Sequence, residues 1–233
     1  MSLFQYRPKS NPKLGIEGEI GVMLPLTLRQ GGNDMIGLDG IYYFALSGNP
    51  TEWLFLRFSK HHICTHIGDE ITSGNVQSVS DVDPAKLRAG VNDDFRFCAA
   101  VKPLHFLGRE DLNILTVYGE VGYFDPGSDF LGERQSKPHT YAYMNYLAGA
   151  ELEYYFQGKI KKAGGLFAGF NWSSYQENGF SPNLNYTAGY ILPQDRNKLR
   201  MRIGIQYYNG RSLMNQFYYK KERFIGAYLA LDV

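Results

Sequence analysis

The sequence predicts an all-β protein, an antiparallel up-and-down transmembrane β-barrel of about ten strands, or twelve if a hairpin is missed. Three observations predict this fold class. Apolar and polar side chains alternate with a period of two, the alternating segments are separated by Gly, Pro, Asn and Asp, and the polar side carries charges. A soluble barrel keeps its apolar side inside, so a charged side of this kind indicates lipid outside and water inside.

The first predicted strand, residues 14–29, has the clearest alternation. One side is apolar and the other carries Glu17, Glu19 and Thr27; the apolar side reads Leu14, Ile16, Gly18, Ile20, Val22, Leu24, Leu26, Leu28. A strand points successive side chains to opposite faces, so the segment has one apolar wall and one polar wall. Its length exceeds that of an ordinary soluble strand and is sufficient to cross a bilayer at a tilt.

Nine further strands follow from the same alternation and from turn residues at their ends. The ten predicted ranges are 14–29, 35–47, 52–67, 94–104, 112–124, 140–156, 163–175, 183–192, 198–209 and 217–232. The two longest connections, 68–93 and 125–139, then fall at the same end, as expected for long external loops opposite short periplasmic turns. We expect a single barrel domain over residues 1–233, with residues 1–13 as an N-terminal extension.

Composition limits the class of partner. Charge is nearly balanced, with 24 Lys and Arg against 23 Asp and Glu, which predicts no nucleic-acid binding. The 18 Tyr suit an aromatic girdle at a membrane interface, although Tyr also favours strands generally. The chain has neither a long apolar run for a spanning helix nor a secretion signal, so we expect a trimmed or mature form of an exported protein.

The polar sides of the strands predict a network of charges in a largely filled lumen, because isolated charges in a narrow interior are costly. The predicted lumen set is Glu17, Glu19, Arg57, Arg96, Glu120, Glu151, Glu153, Arg200 and Arg202. About ten strands leave little interior space compared with the larger porins, so a blocked core is favoured over a conducting pore.

The richest chemistry lies in residues 60–70, KHHICTHIGDE, at the upper end of the third predicted strand. Three interpretations compete: a hydrolase, a metal site formed by His62, Cys64 and His66 on one strand face, and hydrogen bonds that fix the rim. The placement is similar to the His-x-Ser run of outer-membrane phospholipase A, but the residue two after His62 is Cys64 and no serine occupies that spacing. Rim hydrogen bonding is favoured, and no metal or cofactor is predicted. Cys64 and Cys98 could form a bridge if the register of their strands agrees.

Two segments resemble a bacterial outer-membrane barrel family described only as a domain of unknown function, number 1207. Residues 53–70 are similar to its "His … Ser-His-Leu-Gly-Asp-Glu-Tyr" signature, with Thr65 in place of Ser and Ile71 in place of the aromatic residue. Residues 207–217 are similar to its "Tyr-Asp-Gly-Arg-Ser … Gly-Gln-Phe" segment. The resemblance implies a barrel in the bacterial outer membrane and implies no reaction.

Both segments map to the upper rim, which predicts one external ligand site there, formed by His61, His66, Asp69, Glu70, Asn209 and Arg211. The function expected from all these patterns is that of a non-enzymatic envelope, adhesion or narrow-transport protein. Its partners are outer-membrane lipids and, during biogenesis, the barrel-assembly machinery. The alternatives are an outer-leaflet lipid hydrolase, of the phospholipase or lipid A deacylase type, that uses the His61–His66 cluster, and a soluble lipocalin-like binder.

Overall fold

The computed structural model describes residues 2–11, 13–28, 35–67, 90–108, 114–125, 144–156, 163–193, 200–214, 217 and 219–232. These residues form twelve strands and two short 3₁₀ helices, Pro103–Leu107 and Gln176–Asn178. The strands are β1 Ser2–Tyr6, β2 Gly15–Met23, β3 Leu26–Leu28, β4 Met35–Asn49, β5 Leu54–Ile67, β6 Gly90–Val101, β7 Leu115–Asp125, β8 Met144–Tyr155, β9 Gly165–Tyr175, β10 Pro182–Ile191, β11 Arg200–Arg211 and β12 Lys221–Asp232. Within these ranges, no helix is long and apolar enough to cross a bilayer.

All strands belong to one antiparallel sheet in which neighbours in sequence are neighbours in space. The order is β1-β2-β4-β5-β6-β7-β8-β9-β10-β11-β12, and β3 pairs with β4 beside β2. Every pairing is antiparallel, so the chain runs up and down from β1 at one end of this order to β12 at the other. This confirms the predicted all-β, up-and-down antiparallel arrangement.

The ten predicted strands correspond to β2–β12, with differences at several ends: β12, for example, begins at Lys221 rather than at residue 217, and β6 ends at Val101 rather than at residue 104. The predicted strand 14–29 is divided into β2 and β3 at Pro25, which lacks the N–H that a continuous ladder requires. Strand β6 begins at Gly90, four residues before the predicted start at 94, and pairs along β5 as far as Thr65. Residues 2–6 of the predicted N-terminal extension form β1, which pairs with β2 and whose side chains are all exposed.

The sheet is strongly curved. Glu153 of β8 lies 2.8 Å from Arg200 of β11, although β9 and β10 lie between these two strands. Three strand spacings amount to about 14 Å in a flat sheet, so the two side chains can meet only across a concave surface. We call this concave side the inner face and the convex side the outer face.

The polarity of the two faces is the reverse of that in a soluble protein, because the outer face is apolar and the inner face is polar. The outer face exposes large apolar side chains, including Phe44 at 66%, Ile205 at 64% and Ile225 at 77% of their accessible surface. Most of the buried polar side chains of the described residues lie on the inner face: Asp39, Ser47, Ser59, His61, Thr65, Asp94, Asn145 and Asn183. Asp93 and Ser174 are buried on the outer face. The burial pattern therefore places the polar wall inside the curve and the apolar wall outside.

Two glycines between strands have conformations that their positions require. Gly164, before β9, has a φ of +91°, and a Cβ there would lie 2.1 Å from the carbonyl oxygen of Ile191. Gly179 has a φ of +61° and is followed by Phe180, a non-glycine residue with a φ of 59°. The Phe180 N–H donates a hydrogen bond to the Tyr175 carbonyl, and the Phe180 carbonyl accepts one from the Ser174 hydroxyl. These two bonds offset the cost of the left-handed conformation.

Candidate functional site

The inner face near β2, β4 and β5 carries an ion pair between two predicted lumen residues. Arg57 lies 3.6 Å from Glu19, and Glu19 also accepts a short hydrogen bond from the Ser47 hydroxyl. The Arg57 guanidinium stacks 4.8 Å from the centre of the Tyr43 ring, and that ring stacks on His61 at 5.3 Å. A continuous layer of paired charges and rings therefore fills this part of the concavity.

A second cluster lies around Arg96 of β6, whose side chain is 19% exposed. Its guanidinium lies 2.7 Å from Asp94, which has no exposed side-chain surface, and 3.3 Å from Glu120 of β7. Asp94 was not among the predicted lumen residues, although its place two residues before Arg96 puts both on the same strand face. Because Asp94 is completely buried, Arg96 is the group that compensates its charge.

The third cluster joins strands that are far apart in the sheet order. Glu153 of β8 lies 2.8 Å from Arg200 and 3.5 Å from Arg202, both on β11. Arg202 also lies over the rings of Phe167, at 5.7 Å, and Tyr228, at 6.0 Å. These contacts cross the concavity and occupy it with side chains.

Two other predicted lumen residues have less extensive contacts. Glu17 accepts a hydrogen bond of 3.0 Å from Gln5 of β1, at the edge of the sheet. Glu151 is exposed.

The four described residues of the predicted rim site do not all meet at one place. His61 is buried on the inner face, 2.9 Å from the Ser59 hydroxyl, whereas His66 and Asn209 are exposed on the outer face. Asp69 and Glu70 lie outside the described residues, so the predicted site stays a prediction for that part.

Arg211 lies at the rim end of β11 and pairs closely with Glu177, and its guanidinium stacks 3.8 Å from the centre of the Tyr175 ring. A pocket of about 390 Å³ adjoins this pair and is lined by Asn183, Asn209 and Lys221, among others. Two of the predicted residues, Asn209 and Arg211, therefore share one rim pocket, whereas His61 and His66 belong to β5.

On the outer face of β5 and β6, a different set of residues forms a connected chain of polar contacts. Asp93 Oδ1 lies 2.6 Å from His62 Nδ1, and His62 Nε2 lies 3.1 Å from Cys64 Sγ. Asp93 Oδ2 lies 2.9 Å from the Lys60 ammonium group. We call Cys64, His62 and Asp93 the outer triad.

The sheet register explains this juxtaposition. His62 is paired with Asp93 across β5 and β6, and Cys64 follows His62 by two residues on the same face. The sequence predicts His62 and Cys64 on a strand but places Asp93 among the carboxylates of the predicted connection 68–93. Asp93 lies opposite His62 only if β6 begins near residue 90, so an earlier predicted start for this strand would have revealed the contact.

The two cysteines lie on neighbouring strands but in different registers. Cys64 is paired with Val91, whereas Cys98 is paired with Arg57 on the inner face, and both thiols are free. The conditional prediction of a bridge is therefore not met. His66 does not join His62 and Cys64, and among the described residues no group of three or more His, Cys, Asp or Glu could hold a metal ion.

Comparison of this chain with protein-family models, with curated proteins and with solved structures finds no significant match. The class of protein is accordingly defined by its fold, a strongly curved all-β antiparallel up-and-down sheet.

Proposed function

We propose that this chain is an integral protein of the bacterial outer membrane, in which the curved sheet closes into a barrel with a filled polar lumen. The observation that carries the proposal is the inverted burial: charged residues such as Asp94 and Arg96 are enclosed, while Ile205 and Ile225 are largely exposed. In a transmembrane barrel the outward band is apolar because it meets lipid, and the interior is polar.

The exposed apolar side chains form a band rather than isolated positions. On β11 and β12 the outward residues include Ile203, Ile205, Ile225, Leu229 and Leu231, each between 42% and 77% exposed. Burying such a side chain in hydrocarbon gains about 1.5–3 kcal/mol, so a bilayer would stabilise the sheet through the face that water disfavours. Patches of this extent on a protein surface indicate an interaction with a membrane or another protein.

The contents of the inner face favour an envelope component over an open pore. The Arg57, Arg96 and Arg202 clusters occupy the concavity with paired charges and aromatic rings. A lipocalin-like binder needs an apolar cavity for its ligand, and the buried polar residues of this face argue against one. Outer-membrane lipids would then be the constant partners of the outer face, and the barrel-assembly machinery a transient one.

Detergent extraction and gel mobility test the proposal. The protein expressed in a bacterial envelope should require detergent for extraction, and unheated samples in SDS should migrate differently from boiled ones, because a closed barrel resists SDS. Replacement of Ile205 by Arg should lower stability in lipid vesicles by about 2–4 kcal/mol if the residue lies near the midplane. A chain that is soluble without detergent, migrates identically after boiling and tolerates Ile205→Arg would contradict the proposal.

A further inference from the structure

The outer triad has the connectivity of a nucleophilic acyl-transfer site, in which a nucleophile contacts a base and the base contacts an acid that orients it. The ionised Asp93 carboxylate has no proton to donate, so in the Asp93–His62 hydrogen bond the proton is on His62 Nδ1. The other ring nitrogen, Nε2, then carries the lone pair that accepts the Cys64 proton. The 2.6 Å and 3.1 Å distances are within the range for these roles. Lys60 binds the other Asp93 oxygen and leaves Oδ1 for His62.

The base and the nucleophile are both more accessible than the acid, as catalysis on an external substrate requires. The Asp93 side chain is 5% exposed and that of His62 is 27% exposed, while Cys64 is partly exposed. Gly40 is the residue paired with Cys64 on β4, and the Tyr42 ring and its hydroxyl lie over the Gly40 position, so Tyr42 forms the wall on that side of the thiol.

A comparison within the same strand supports the assignment. Ser59 and His61 form a similar pair on the inner face, at 2.9 Å, but both are buried. Asp94, which is paired with His61 in register, is bonded to Arg96 instead. The inner pair thus has neither a bonded acid nor access, whereas the outer triad has both.

The position on the outer face identifies the substrate class. Below the triad, the outward residues of β5 are Leu54, Leu56 and Phe58; from Lys60 upward they are polar. In the proposed membrane placement, the thiol lies at the boundary between the hydrocarbon and the headgroups. The ester bonds of lipids lie at that depth.

We propose that Cys64, His62 and Asp93 hydrolyse the carboxylic esters of membrane lipids at the outer surface of this protein; the inference rests on the proposed function. His62 Nε2 takes the Cys64 proton as Sγ bonds to the ester carbonyl carbon, the carbon–oxygen bond to the alcohol breaks, and the alcohol leaves with the proton from His62. Water, deprotonated by His62, then attacks the acyl-cysteine, the carbon–sulfur bond breaks, and the thiol recovers its proton. The products are a fatty acid and the deacylated lipid.

The test uses the full chain in detergent micelles with 4-nitrophenyl palmitate, and then with phosphatidylethanolamine and with lipid A to separate the two sources of lipid ester. Cys64→Ala should lower turnover by about 1,000-fold or more, and so should His62→Ala. The matched control is Cys98→Ala, the inner-face thiol, which should keep wild-type turnover. A palmitoyl adduct that neutral hydroxylamine removes should map to Cys64 and not to Cys98.

Asp93 acts through His62, so its role as a positioning residue needs a separate measurement. Asp93→Asn should lower kcat by about 1,000-fold with little change in KM and should alter the pH profile of kcat, and Asp93→Glu should restore part of the activity. A heat-modifiable wild-type protein that hydrolyses none of the three esters, or a Cys64→Ala variant with full turnover, would overturn the triad and leave the membrane proposal intact. A wild-type protein that migrates identically with and without boiling would overturn both the triad and the membrane proposal.

Discussion

The Arg96 cluster allows the sharpest prediction about stability. In the variant Arg96→Met the aliphatic volume is retained while the charge that neutralises Asp94 is removed. Asp94 is completely buried, and its Oδ1 has no hydrogen-bond partner in the described part of the chain. Removing one partner of a buried ion pair costs about 3–5 kcal/mol, because the remaining charge stays desolvated. We expect the upper part of this range, since Glu120 loses its 3.3 Å contact at the same time.

Equilibrium urea unfolding in lipid vesicles, followed by tryptophan fluorescence, measures this loss. The control is Arg223→Met, an exposed position on the outer side of β12, for which we expect a change within about 0.5 kcal/mol. The double variant Asp94→Asn with Arg96→Met should recover about 2 kcal/mol or more, because the stranded charge is gone. A loss below about 1 kcal/mol for Arg96→Met would refute the idea that a buried ion pair organises the inner face.

Two further predictions concern close backbone contact and one exposed carboxylate. A Cβ at Gly204 would lie 2.2 Å from the carbonyl oxygen of Ala188, so Gly204→Ala should destabilise the protein by about 1–3 kcal/mol in the same unfolding assay. The control is Gly226→Ala, which should be nearly neutral because the nearest atom to a Cβ there is 3.8 Å away. The Lys13 ammonium group, 2.6 Å from Glu52, holds the pKa of that carboxyl below its usual value. The ion pair should therefore be fully formed at a pH above the ordinary pKa of a glutamate, and it should be lost as the pH falls through the lowered pKa of Glu52. Lys13→Ala should raise the Glu52 titration midpoint in carbon-detected NMR, and an unchanged midpoint would contradict the assignment.

The alternation of side chains was sufficient to predict the strands because a period of two needs no knowledge of partners. It placed Glu19, Arg57 and Arg202 on one wall, and the structure brings them into the same concavity. The positions of the strand ends depend on local chemistry that the two-residue alternation does not contain. Pro25 ends β2 through a missing donor, and β1 is a short edge strand with no periodic signal.

The candidate site was less accessible to sequence reasoning because it depends on register. A shift of one residue between β5 and β6 would send Asp93 to the opposite face from His62 and would remove the outer triad. Asp94 differs in this respect, because the predicted strand 94–104 already puts it on the same face as Arg96, and the structure adds their contact. For Asp69 and Glu70, the predicted rim role still stands as a prediction.

Site-directed spin labelling tests the central claim, that the apolar face meets lipid and the polar face is enclosed. In a Cys64→Ser, Cys98→Ser background reconstituted in vesicles, nitroxides would be placed at Ile203 and Ile205 on the outer face and at Thr187 and Gln206 on the inner face. We predict high collision rates with oxygen and low rates with a water-soluble nickel complex at the two isoleucine positions. Nickel collision rates there that equal those of a label free in water would contradict the account.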